Sequence, residues 1–288
     1  MNSSTLTPQS SLVSGVDGWT AGLEREIQQL LAAAGGAADA ANYHLKSGGR
    51  RVRARLAWNA AVALGLTEAD AMVLATVVEC LHSASLVHDD LQDDEILRHG
   101  IPTTAAAYGT NVAICTGDLY ISAAYAALVN FSQTSLLPAL ISAVHAATSA
   151  AIRGQCAGFQ PPENGVECLA KYHQVAVEKS GALLSLPLEL AFLAAGKNEW
   201  LPQARRAAEE FAVGYQIMDD LADADSDGPV AMNVVVVLRA QGLAADAAYQ
   251  LGIQHLTTAA HLAAELPHQA GELLRELAQA LAVDRRIS

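Results

Sequence analysis

The sequence is poor in aromatic residues, proline, cysteine and positive charge, and each shortage excludes something. Aromatics make up 5% of the chain against 52% for all hydrophobic residues, so the apolar mass is mostly Ala, Leu and Val. Ala and Leu are strong helix formers. With only nine prolines and few β-branched clusters, long stretches run unbroken, and the reading is all-α. Seventeen basic residues against thirty acidic ones give a net charge of −13. That balance argues against a nucleic-acid surface, which needs a basic face. The four cysteines, Cys80, Cys115, Cys156 and Cys168, show no metal-ligand spacing, so a reduced, cytoplasmic protein is expected. No stretch of about 20 residues is read as free of charges and strong polar breaks, so no membrane span is expected. Residues 1–16 are Ser/Thr-rich, with neither the basic start nor the apolar core of a secretory signal. They are expected to form a flexible arm ahead of a single all-α domain over 17–288. No linker, composition shift or fixed-period repeat divides that domain.

Helical periodicity predicts segments over 17–35, 38–45, 55–66, 68–94, 110–130, 135–157, 167–195, 199–224, 231–240, 243–264 and 268–283. Between the second and third comes Gly48-Gly49-Arg50-Arg51-Val52-Arg53-Ala54-Arg55, with four arginines in six positions. Two glycines before a helix start let backbone approach a ligand, and a helix N-terminus favours anions. Arginine's planar fork grips phosphate oxygens in pairs. The segment therefore reads as a phosphate clamp, with a solvated helix start as its plain alternative. Lys179, among apolar neighbours, reads equally as a snorkelling side chain or a phosphate ligand.

The densest charge lies in Asp89-Asp90-Leu91-Gln92-Asp93-Asp94-Glu95, directly after an apolar helical run. Asp89 and Asp93 are four apart and share a helix face, with Asp90 and Asp94 in the adjacent row. Like charges at that spacing repel, and an acidic run at a helix C-terminus opposes the macrodipole. A counter-charge is required, and hard oxygen ligands suit Mg²⁺. About 130 residues later, Asp219, Asp220 and Asp223 repeat the Asp-Asp-x-x-Asp pattern at the close of another long helix. Facing each other across a bundle, two such clusters can hold Mg²⁺ ions that bridge to a diphosphate. Neutralising that leaving group lowers the barrier to breaking its bond to carbon. Arg50, Arg51 and Arg53 are placed to hold a second diphosphate. The arrangement describes ionisation of an allylic diphosphate and attack by an alkene.

These motifs resemble those of the trans-isoprenyl diphosphate synthases, the polyprenyl synthetase family. Leu86-Val87-His88-Asp89-Asp90-Leu91-Gln92-Asp93 is similar to the family's first aspartate-rich motif. Gln216-Ile217-Met218-Asp219-Asp220-Leu221-Ala222-Asp223 is similar to the second. Gly48 to Arg53 resembles its Gly-Gly-Lys-Arg-x-Arg segment, and Arg98-His99-Gly100-Ile101-Pro102-Thr103 its Arg-Arg-Gly-x-Pro-Thr loop. Gly117-Asp118, Gly154-Gln155, Lys179-Ser180 and Tyr215-Gln216 fall at further landmarks in order. The resemblance implies an all-α isoprenoid-synthase-type bundle around a central cavity, usually homodimeric. It implies that Asp89, Asp90, Asp93, Asp219, Asp220 and Asp223 bind Mg²⁺, three ions per site. Asp89, Asp90, Asp93, Asp219 and Lys179 would carry the catalysis. Arg98, Lys179, Ser180 and Gln216 would hold the allylic diphosphate, and Gly49, Arg50, Arg53 and His82 isopentenyl diphosphate.

The chain departs from the family pattern at four places. Arg50 stands for the usual lysine and His99 for the second arginine of the loop. The segment after the second motif is shortened and lacks its lysines, and the acid that often follows Gly-Gln is missing. Small residues one turn before Asp89, Ala84 and Ser85, leave room in the hydrocarbon pocket and predict a product of twenty carbons or longer. Tyr120 or Tyr125 is a candidate cap for it. Three other readings use the same residues: a class I terpene cyclase or other-acceptor prenyltransferase, a non-catalytic subunit of a heteromeric synthase, and a di-iron bundle suggested by Glu79-x-x-His82.

Overall fold

The computed structural model describes residues 16–159, 169–222, 233–242 and 245–283. The expected arm, Cys168, Asp223 and the shortened segment up to Met232 lie outside the described residues, apart from Val16, which opens the first helix. Helices α1 (Val16–Leu31), α2 (Gly36–Lys46), α3 (Val52–Ala63) and α4 (Glu68–Gln92) form the first half. After a two-stranded hairpin, β1 (Leu97–Arg98) and β2 (Ile101–Pro102), come α5 (Thr104–Tyr108), α6 (Thr110–Ala127) and α7 (Leu137–Gly158). The second half holds α8 (Leu169–Ala176), α9 (Ala182–Ala194), α10 (Leu201–Ala222), α11 (Val234–Ala240), α12 (Ala245–Ala264) and α13 (Glu272–Val283). The all-α expectation stands; the small hairpin and α5 occupy what periodicity left as a loop.

The start of α4 shows how sequence sets an element. Thr67 accepts from Asp70 N–H as the N-cap, and Glu68 and Asp70 place negative charge on the first turn. Asp70 also accepts from Ser132 N–H at 2.8 Å and from its hydroxyl at 2.7 Å, which pins the far end of the α6 segment. At the other end of α4 the His88 ring lies over Gly117, so α4 and α6 run antiparallel. α4 packs between α3 and α6, α10 packs on α9 and α12, and α9 touches both α4 and α10. The two helices that carry the aspartate-rich motifs thus share α9 as a neighbour.

The segment expected as one helix over 167–195 is broken. Between α8 and α9 lies a π-helical turn, Val177–Gly181, and it carries Lys179 and Ser180. Tertiary contacts with α7 and α10 meet this turn. Apolar periodicity is blind to a single extra residue, and π turns gather at functional sites.

Tyr120 does not cap a pocket. Its ring stands edge-on to His44 at 5.9 Å, and its hydroxyl donates to Ala41 O at 2.7 Å, so it is committed to the α2 seam. Nor is the chain short of apolar helices. Glu68–Gln92, Thr110–Asn130 and Thr134–Gly158 are each long and apolar enough to cross a membrane by length and composition. Single charges such as Glu79 and Asp118 interrupt these runs in sequence without lowering the mean hydropathy enough to exclude them. The first apolar window is 67% buried inside the protein, but that of Thr134–Gly158 is only 11% buried.

Candidate active site

Gly48 and Gly49 adopt φ of 91° and 129°, and Arg51 follows at φ 48° as the N-cap of α3 with no side-chain cap. Only glycine takes the first two values without strain. The turn throws alternate arginines to opposite sides. Arg50 is exposed, whereas Arg51 is 8% exposed and turned into the core. Arg51 donates to Glu79 at 2.9 Å and to Leu45 O at 2.6 Å, and reaches Glu24 at 3.4 Å. Its expected place in the clamp is therefore corrected: it is a strut, because leaving buried Glu79 unpaired would cost several kcal/mol. The same pair removes the di-iron alternative, since Glu79 faces Arg51 and His82 faces Arg53.

Arg53 Nη1 lies 3.2 Å from His82 Nε2. Arginine only donates, so Nε2 accepts and a neutral His82 carries its proton on Nδ1. Burial, reinforced by Arg53, holds the His82 imidazole well below its usual range. The Nδ1 of His82 and the Nε of Arg53 are both buried without a hydrogen-bond partner. The structure thus brings together two of the four residues that the resemblance assigns to isopentenyl diphosphate, as a cation and a neutral donor.

The acidic motifs divide by register. Asp89 is half-buried and Asp93 exposed, one turn apart on one face, and Asp219 is exposed on α10. Burial raises the Asp89 carboxyl; Lys179 and Arg98 oppose the shift, and Asp93 and Asp90 add to it. Lys179 is therefore near enough for its charge to act on Asp89. The second aspartates point elsewhere. Asp90 is 2% exposed and is held by Arg98. Asp220 is 7% exposed and accepts from Gln216 Nε2 at 2.8 Å and Val234 N–H at 2.7 Å. Both carboxylates are buried and engaged by protein groups, unlike Asp89, Asp93 and Asp219. Asp220 instead fixes the start of α11. The Tyr172 hydroxyl faces Asp220 without closing a hydrogen bond of normal geometry.

A cavity of about 220 Å³ joins these elements, lined by Asp93, Gln155, Phe159, Tyr172, Lys179, Ser180 and Gln216. Four of those residues were candidates from the sequence. Tyr172 was not, because a lone tyrosine in an amphipathic segment gives no signal. Gln155, one of the family landmarks, lines the cavity and donates to Gln92 Oε1 at 2.9 Å, tying α7 to the first motif. A larger cavity of about 420 Å³ lies at the opposite end of α4, between Leu64, Asp70, Ser132 and Gly196, away from every acidic motif. The gauge residues also separate: Ala84 is 2% exposed in the main core, while Ser85 is half-buried and its hydroxyl donates to His82 O at 2.8 Å.

Among the described residues no group of three or more His, Cys, Asp or Glu side chains converges closely enough to hold a metal ion alone. The donor set nonetheless fits Mg²⁺, which keeps several waters and binds through one or two carboxylates plus phosphate oxygens. Asp89 and Asp93, held together at a cost that a cation would relieve, are such carboxylates.

A family model described as Polyprenyl synthetase matches residues 37–233. The chain belongs to that family. It is 34% identical over 194 residues to a chloroplastic geranylgeranyl pyrophosphate synthase of Capsicum annuum, covering 64% of this chain and 52% of the relative. It is likewise 34% identical over 184 residues to an all-trans-nonaprenyl-diphosphate synthase of Rhodobacter capsulatus, covering 64% and 55%. The chain spans about half the length of these curated relatives. Among solved structures it resembles a geranylgeranyl pyrophosphate synthetase from the archaeon Geoglobus acetivorans, with TM-score 0.83, 22% identity and coverage of 92% and 98%. It also resembles a decaprenyl diphosphate synthase from Rhodobacter capsulatus, with TM-score 0.84, 18% identity and coverage of 95% and 98%. These likenesses establish the isoprenyl-synthase fold. Within the family pattern, Arg98 is held on Asp90 of the first motif, and Arg53 pairs with His82 ahead of it on α4.

Proposed function

We propose that this chain is an isoprenyl diphosphate synthase, joining isopentenyl diphosphate head-to-tail to an allylic diphosphate to give a product of twenty carbons or longer. One observation carries the reading. Asp93, Lys179 and Gln216, from three separate elements, line one cavity, while Arg53 and His82, which are not among its lining residues, meet between α3 and α4. Two diphosphates call for two such places. A terpene cyclase needs only the first, so the Arg53–His82 pair favours the synthase over it. The relatives, a geranylgeranyl pyrophosphate synthase and an all-trans-nonaprenyl-diphosphate synthase, support the same reaction class.

Asp89, Asp93 and Asp219 are the proposed metal ligands, with Asp223 outside the described residues and three Mg²⁺ per site as the expectation. Mg²⁺ held there supplies charge neutralisation to the leaving diphosphate. Lys179 adds fixed positive charge beside Asp89, and Arg98, oriented by Asp90, adds more. Phe159, Val175 and Ala176 keep apolar surface on the cavity and exclude water from the reacting carbon. The allylic carbon–oxygen bond breaks, the alkene of isopentenyl diphosphate attacks the freed carbon, and a proton leaves the acceptor. Arg50 and Arg53 hold the acceptor's diphosphate; neutral His82 contributes a hydrogen bond, not charge.

A homodimeric, cytoplasmic protein is part of the proposal. The exposed apolar faces of α6 and α7, including Ile114, Ile141 and Ile152, support self-association. The free thiols of Cys80, Cys115 and Cys156 accord with a reducing compartment.

The deciding experiment is turnover of geranyl or farnesyl diphosphate with labelled isopentenyl diphosphate, with and without Mg²⁺, followed by chain-length analysis. Elongated product only with Mg²⁺ is expected. A cyclic hydrocarbon in its place would favour a cyclase. No turnover alone, with rescue by a partner subunit, would favour the non-catalytic reading.

A further inference from the structure

We propose that Gly154 is a positioning residue that sets where the Lys179 ammonium stands, by letting the backbone of α7 lie directly against the π turn. The proposal rests on the reading above, in which Lys179 holds the allylic diphosphate.

A Cβ placed on Gly154 would lie 2.3 Å from Lys179 N, 2.6 Å from Glu178 C and 2.7 Å from Lys179 Cα. All three are backbone atoms, which cannot swing aside. At Gly117 the atoms in the way belong to the His88 ring, which has rotamer freedom. The crossing is held on both sides. Arg153 Nε approaches Glu178 at 3.9 Å on the solvent side, and Gln155 donates to Gln92 one residue before Asp93. One turn of α7, residues 153–155, therefore touches the end of the first aspartate motif and the π turn together. It acts as the spacer between Asp93 and Lys179, which line the same cavity.

The magnitude follows from the geometry. Ordinary contact begins near 3.4 Å, so a methyl on Gly154 displaces the π turn by about 1 Å (3.4 less 2.3). A shift of that size takes the Lys179 ammonium beyond hydrogen-bond reach of the oxygen it holds. The neighbouring Gly181 makes a contrast on the same turn: its Cβ would meet Ala212 Cβ at 3.5 Å, an ordinary contact.

The test uses the full chain and two readouts: calorimetric titration with inorganic diphosphate in Mg²⁺ buffer, and steady-state kinetics with farnesyl and isopentenyl diphosphates. Gly154→Ala is expected to weaken diphosphate binding and raise the allylic KM about 10-fold, the value of one charged hydrogen bond. The KM for isopentenyl diphosphate should stay within about twofold. Lys179→Ala should show a similar loss, and the double variant should lose no more than Lys179→Ala alone, because residues acting through one group are not additive. Multiplying losses overturn the proposal, as does an equal rise in both KM values, which general loosening produces. Gly181→Ala is expected to change the allylic KM by less than about twofold. A loss equal to that of Gly154→Ala would mean that any added methyl suffices, and overturns it too. So does a Gly154→Ala protein that fails to fold by thermal melting, since Gly154 would then serve the fold alone. Absence of turnover in the unmodified protein tells against the synthase reading instead, while the diphosphate titration still judges Gly154.

Discussion

Arg98 Nε donates to Asp90 Oδ1 at 2.7 Å, and Nη2 approaches the same oxygen at 2.5 Å. The aspartate is buried and the guanidinium is about one-third exposed, with 34% of its side chain open. The pair therefore works in one direction: a carboxylate sunk in the helix end orients a cation that still faces the cleft.

Asp89 and Asp90, adjacent in sequence, should fail differently. Asp89→Asn removes a carboxylate from the metal-facing row and should lower kcat by on the order of 100-fold or more, with a higher Mg²⁺ requirement. Asp90→Asn should leave the Mg²⁺ requirement alone and raise the allylic KM by about 10-fold or more, since it loosens Arg98. Initial rates across a Mg²⁺ series separate the two. Equal displacement of the Mg²⁺ curve by both variants would make Asp90 a ligand after all.

Burial, assisted by Arg51 and Arg98 and only partly opposed by Asp90, lowers the His44 imidazole from 6.5 to about 4. Between those values the unfolded chain binds a proton that the folded chain refuses. Stability is then full above pH 6.5 and falls as the pH drops toward 4. At 1.36 kcal/mol per unit, the His44 share between pH 7.5 and 4.5 is about 2 to 3 kcal/mol. His82, depressed likewise, adds with the same sign. Denaturant unfolding of His44→Gln at the two pH values should show a smaller loss than the unmodified protein by about that amount. An unchanged difference would rule out His44 as its source.

The two gauge residues should also part company. Ser85→Phe places a ring on the partly open side of α4 and should shorten the product toward fifteen carbons with little change in stability. Ala84→Phe drives a ring into a filled core and should cost about 1 to 3 kcal/mol. Chromatography of the products and thermal melting read the two effects. A full-length product from Ser85→Phe would move the pocket floor elsewhere.

Ile152 is 56% exposed on α7, the apolar helix least covered by its own chain. Ile152→Glu should convert a dimer into monomers or weaken it by at least about 10-fold, because a charge buried in an apolar interface is costly. Light scattering over a dilution series measures this. A monomeric unmodified protein would require another cover for α7.

The sequence by itself determined the helical class, most helix spans within a few residues, and the candidate site. Apolar spacing and side-chain chemistry are local properties, written in order along the chain. Asp89 and Asp93 on one face follow from helix period alone, and the turn before Arg50 from the freedom of two adjacent glycines. Periodicity could not report which neighbours a helix meets. Only the tertiary structure turned Arg51 inward to Glu79, engaged Asp90 and Asp220 with protein partners, committed Tyr120 to Ala41, and placed Ser85 in partial contact with solvent while burying Ala84. The π turn at Lys179 belongs to the same class. One extra residue leaves the apolar pattern legible as a helix, and its consequence appears only where α7 crosses at Gly154 with no side chain between the two backbones.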